Sequence, residues 1–123
     1  MNALCRYSVL LCTCLTLLFV VRLKPESPVA FVFEAAWLLG PHVILLIAMF
    51  SVGHADSPRI TALHLASALI SVGGILFLMS VFLGPADAQN AIGVMLTPIC
   101  QFVGFLVLPL IAVLVPEKPQ EHA

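Results

Sequence analysis

Six polar or ionisable side chains, Glu34, His42, Thr97, Gln101, His64 and Asp87, stand within or beside long apolar runs of this sequence. Carboxyl, imidazole, hydroxyl and amide groups at successive depths of a membrane are the material of proton and ion paths. Glu34 leads the set, because it is the only acidic residue inside any of the four apolar stretches. A carboxylate in hydrocarbon costs several kcal/mol, roughly 2.5 or more on insertion scales, unless it finds a partner, water or a proton. Its presence is therefore a functional hypothesis in itself.

Helix rise gives the depth of each group. Measured from the side of the 24–28 connection, Glu34 and Thr97 fall about one and a half turns inside. Gln101 and His42 come nearer the middle, His64 approaches the opposite surface, and Asp87 stands at the mouth on the Glu34 side. That order sketches a polar track. The competing reading is structural: Glu34 accepts a hydrogen bond from Thr97 or Gln101, and His42 is a satisfied core histidine. Glu34 and His42 are eight residues apart, about 80° around a helix, so they share a face only with help from the bend at Pro41.

Other chemistry is weakly signalled. Cys12 and Cys14 lie about 200° apart on a helix and cannot converge on one metal or one disulfide, and Cys5 and Cys100 add no metal-binding spacing. The spacing also differs from the C-x-x-C of four-helix membrane thiol oxidoreductases. His42 and His64 differ in depth by a turn or more, which disfavours a haem held between them. His54, Asp56 and His64 gather near one surface, too few and too loosely placed for a metal site. The sequence therefore calls for no metal and no cofactor. It contains no catalytic dyad, phosphate-cradling loop or nucleotide fingerprint, and the expectation is a protein that is not an enzyme. Small multidrug transporters share the length and a membrane glutamate, but theirs lies in the first helix, so their site is not carried over.

The elements that must position these residues follow from composition. Of the 123 residues 62% are hydrophobic and 9% charged, with mean hydropathy +1.16. Soluble domains carry about a quarter charged residues, so the expected surroundings are a lipid bilayer. A net charge of -1 supplies no basic patch for nucleic acid. About 20 apolar residues cross the hydrocarbon, which gives spans at 4–23, 29–52, 60–83 and 91–115 and a polar tail at 116–123. The first is short between Arg6 and Arg22 and spans if both arginines snorkel. A cleaved signal peptide is its rival, but no small-residue cleavage site follows.

Glu26-Ser27-Pro28 and Asp56-Ser57-Pro58 repeat one helix-start cue: an acidic residue, a Ser cap, and Pro at the first helical position. Asp87 is the expected cap of the fourth helix. Short connections predict antiparallel neighbours, hence an all-α membrane protein: an up-down antiparallel four-helix transmembrane bundle in a single domain. Small and polar residues mark the faces through which membrane helices pack. They are Ser8, Cys12 and Thr16 in the first helix, Ser67, Ser71 and Gly74 in the third, and Gly93, Thr97, Gln101 and Gly104 in the fourth. Pro41, Pro98 and Pro109 predict bends, freeing the carbonyls of Trp37 and Val94 at the first two.

The functional expectation is a small non-enzymatic integral membrane protein. It would be an accessory or scaffold packing against a second copy of itself or a larger membrane protein. The alternative is a proton- or ion-coupled transporter or channel subunit using Glu34 with His42, Thr97 and Gln101. The expected location is a bacterial inner membrane with both chain ends in the cytoplasm. Arg6, Arg59 and Lys118 on the terminal side outnumber Arg22 and Lys24 on the other.

Overall fold

A computed structural model describes residues 1–24, 26–52, 57–85 and 88–116 of the chain. His54, Asp56, Asp87, Lys118 and residues 117–123 of the polar tail, all used in the sequence reading, lie outside these. Four helices make up almost everything described: α1 (Asn2–Arg22), α2 (Pro28–Ser51), α3 (Pro58–Leu83) and α4 (Ala88–Leu114). The shortest has 21 residues and is about 31 Å long at 1.5 Å per residue, matching roughly 30 Å of hydrocarbon. Windows of 18 residues in the four helices have mean hydropathy of 1.9 to 2.2. The chain is thus an all-α four-helix bundle, and by helix length and composition a multi-pass membrane protein.

The two Ser-Pro cues do different things. Ser27 Oγ accepts from the Ala30 amide at 3.1 Å, a capping bond for α2. Ser57 makes no such bond, and its hydroxyl is buried without a hydrogen-bond partner among the described residues. Pro28 and Pro58 both open their helices, so ring geometry is the shared part of the signal. At the start of α4, Asn90 Nδ2 donates to the Pro85 carbonyl at 2.8 Å. Both α2 and α4 continue through their internal prolines. Pro41 and Pro98 are fully buried, while Pro109 faces outward.

Packing departs from chain order. α1 packs along α2 and α3, and α4 packs along α3 and more lightly along α2; α2 and α3 barely touch. Around the bundle the order is therefore α1, α2, α4, α3, with α2 and α3 on a diagonal. This corrects the expectation that every consecutive pair would be neighbours. Residues 52–57 reach about 20 Å when extended, more than the roughly 11–14 Å diagonal of a square of helices spaced 8–10 Å apart. The connection is short yet long enough to cross. Arg59 Nε, at the start of α3, donates to the Val115 carbonyl just past α4 at 3.3 Å, which fixes that pair as antiparallel.

Buried positions recur at three- and four-residue steps: Leu38, His42, Leu45 and Met49 in α2, and His64, Ser67, Ser71, Gly74 and Leu78 in α3. This is the seam of shallowly crossing, left-handed helix pairs. In α1 the seam runs through Cys5, Val9, Cys12, Thr16 and Val20, so Cys12 and Thr16 lie on it while Ser8 is half-buried beside it. Glycines let α3 and α4 approach. Gln101 packs directly on Gly74, filling the space a Cβ would take there. Cβ atoms added at Gly93 and Gly104 would stand 3.0 Å from Val81 and 3.2 Å from Ile70.

Candidate functional site

The buried side chains form layers across the bundle. In the half of the bundle nearer the 24–28 connection, Val20, Leu38 and Leu78 make an apolar cluster edged by Phe19, Phe31, Trp37 and Val94. One turn deeper is a polar level containing His42 and Gln101, only 1% and 4% exposed. Gln101 Nε2 lies 3.5 Å from His42 Nδ1, so the amide donates to the imidazole when the ring proton is on Nε2. Below it, Val9, Leu45 and Ala68 belong to a second apolar cluster with Cys5 and Met49. His64 and Ser67 are buried beside that cluster, one turn or less from Ala68 towards the start of α3.

Three of the seam hydroxyls serve their own helices, while that of Ser71 is buried with no hydrogen-bond partner among the described residues. Thr16 donates to the Cys12 carbonyl at 2.9 Å, Ser67 to the Leu63 carbonyl at 2.8 Å and Thr97 to the Gly93 carbonyl at 2.9 Å. Back-bonding of this kind satisfies a hydroxyl in an apolar setting and leaves it to act as a small packing residue. It also removes Thr97 as a donor to Glu34. Gln101 is engaged with His42. Neither expected partner of the carboxyl reaches it.

Glu34 instead lines a cavity of about 570 Å³ at one end of the bundle. Its Oε2 is buried and has no hydrogen-bond partner among the described residues. All four helices contribute to the walls: Phe19 from α1, Phe33 and Trp37 from α2, Phe82 from α3, and Ala91 and Met95 from α4. Leu38 and Leu78 form the inner limit, and they are members of the apolar cluster above the His42–Gln101 level. The aromatic walls are held in place. Phe19 and Phe82 meet edge to face with centroids 5.5 Å apart, and Trp37 Nε1 donates to the Met95 carbonyl at 3.1 Å.

That last bond also corrects a depth. Trp37 stands level with Met95, so Glu34 lies near Ala91, and Thr97 is about a turn or more deeper than the carboxyl. The expected match between Glu34 and Thr97 counted depth from residue 91, the start of the apolar span, whereas α4 itself starts at Ala88. The structure therefore brings His42 and Gln101 together and separates both from Glu34 and from His64 by apolar layers. Asp87 lies outside the described residues.

Two features were missed by sequence reasoning. The cavity is one, since its aromatic walls read in sequence as lipid-facing residues. Arg6 is the other: it is 7% exposed and its guanidinium sits 5.3 Å from the centre of the Phe50 ring, an inward cation–π contact. The four cysteines are free, with Cys5 and Cys12 buried and Cys14 and Cys100 facing outward. Among the described residues no three His, Cys, Asp or Glu side chains converge as a metal site would require.

Fold and site together define a four-helix membrane bundle with a layered interior and a carboxyl-bearing apolar cavity at one end. No protein-family model, curated protein or solved structure matches this chain.

Proposed function

We propose that this chain is a non-enzymatic multi-pass membrane protein acting as an accessory or scaffold, through helix packing against a second copy of itself or a larger membrane protein. The supporting observation is the layering. Apolar clusters stand between the levels of Glu34, His42–Gln101 and His64, so outside the Glu34 cavity most of the described interior is the bundle's own packing, with Thr16 and Thr97 buried in it. Recognition is left to the outer faces, where exposed Leu11, Leu18, Ile47, Leu69, Leu76 and Leu106 supply apolar surface. We place it in a bacterial inner membrane with both chain ends in the cytoplasm, on the lysine and arginine distribution. Extraction from native membranes in lipid-bearing polymer discs, followed by native mass measurement, tests the proposal. A stoichiometric second chain supports it, and a solitary chain contradicts it.

A second reading has its own support. The unpartnered Glu34 Oε2 and the cavity beside it suit a proton- or ion-coupled transporter or channel subunit with His42, Thr97 and Gln101 further along. Passage would require the Val20, Leu38 and Leu78 layer to open. Reconstituted liposomes showing proton or cation flux that is lost in Glu34→Gln would support this reading over the first.

A further inference from the structure

We infer that the cavity at Glu34 is a binding site for a small amphiphilic organic cation, an ammonium-type head on an apolar body. The inference goes beyond the accessory proposal and does not depend on it, since binding requires only the cavity.

The chemistry of the walls selects the ligand. The 570 Å³ volume lies within the roughly 300–1,000 Å³ of small-molecule sites. The cavity therefore takes a compact molecule rather than a whole protein segment. Its lining is mainly aliphatic and aromatic, with a carboxyl at Glu34. An apolar ligand would leave Glu34 Oε2 buried and unpaired, at the cost of an unsatisfied acceptor. An anion would be repelled. A calcium or magnesium ion takes six or more oxygen ligands, and the described wall offers only the Glu34 carboxyl and the Asn90 amide oxygen as side-chain acceptors. No set of three His, Cys, Asp or Glu side chains forms among the described residues, as a softer metal would need. The Asn90 Nδ2 donates to Pro85 and the Trp37 indole to Met95. A diffuse organic cation suits both remaining features, the carboxylate and the faces of Phe19, Phe33, Trp37 and Phe82, because aromatic rings attract such cations. The Phe19–Phe82 contact and the Trp37 hydrogen bond hold three of those rings before any ligand arrives, which reduces the ordering cost of binding.

Trp37 is the single tryptophan of the chain and lies in the cavity wall, so it reports binding directly. The full chain in phosphatidylcholine nanodiscs is titrated with decylpyridinium, a cation that quenches tryptophan. Saturable quenching is expected, reversed by decyltrimethylammonium and not by decanol or decyl sulfate. Glu34→Gln should weaken the affinity about tenfold or more, equivalent to one charge-assisted contact. Ala91→Phe, which fills the cavity and leaves the carboxyl in place, should abolish saturation. Circular dichroism should show native helix content in both variants. Quenching that rises linearly without saturation, that decyl sulfate reverses equally well, or that both variants retain would overturn the inference. In nanodiscs of a neutral glycolipid, which has no headgroup ammonium, the affinity should be unchanged. An affinity about tenfold or more tighter there would show that a lipid ammonium occupies the cavity in phosphatidylcholine and overturn the assignment to a small molecule.

Discussion

A methyl group added at Gly74 would land on the Gln101 amide, whereas one added at the neighbouring Gly73 would meet nothing within 4 Å. Gly74→Ala should therefore cost about 1–3 kcal/mol through overpacking, while Gly73→Ala should stay within about 0.5 kcal/mol of the parent. Reversible unfolding in mixed micelles measures both. The pair also shows what helical spacing conveys: Gly74 shares a face with Ser67 and Ser71, and it is the glycine that packs on Gln101. Gln101 and His42 were legible as interior polar groups near mid-span, and they meet. A double-mutant cycle with Gln101→Leu and His42→Leu should give a coupling of about 0.6 kcal/mol, no more than about 1.7, as for hydrogen bonds between helices in other membrane proteins. A coupling near zero would show that the 3.5 Å approach carries no hydrogen bond. Thr97 was misplaced relative to Glu34 because depth was counted from an assumed helix start. An error of three residues is about 4.5 Å, enough to move a hydroxyl out of reach of a carboxyl.

At the scale of the helix, apolar length was a sufficient guide. Each α-helix begins within three residues of its expected span, since little but a membrane helix accounts for some 20 residues so apolar, even where Arg6, Arg22 or Glu34 interrupts the run. Helix starts were less legible. Ser27 and Ser57 share flanking residues, yet only Ser27 caps its helix. Ser27→Ala should lower stability by about 1 kcal/mol. Ser57→Ala should leave it unchanged or raise it, because the Ser57 hydroxyl is buried without a partner among the described residues and its removal ends an unmet demand. Thermal unfolding of the two variants under one detergent condition distinguishes them, and equal losses would mean the cap difference is not energetic. Arg6 was expected to extend towards the interface. It folds inward over Phe50 because α1 and the end of α2 pack there, a contact between helices that reading either run alone does not reveal.

For the whole molecule, the diagonal placement of α2 and α3 matters most. Loop length sets an upper bound on separation and permits more than one ring order, so the sequence could specify helix directions but not which helices touch. The order found brings α2 beside α4 and so makes both the His42–Gln101 contact and the Trp37–Met95 bond. It also draws the ends of all four helices around the Glu34 cavity, leaving the carboxyl on one side of an apolar layer and the remaining polar groups beyond it. On the accessory proposal, this bundle acts through its outer surface. The most direct measurement is native mass spectrometry of the chain released from its own membranes in lipid discs, run in parallel with proton-flux assays on the purified chain in liposomes. The expected result is a defined complex with a second copy or a larger membrane protein, and no flux dependent on Glu34. A solitary chain that conducts protons and loses that conduction on Glu34→Gln would contradict the account.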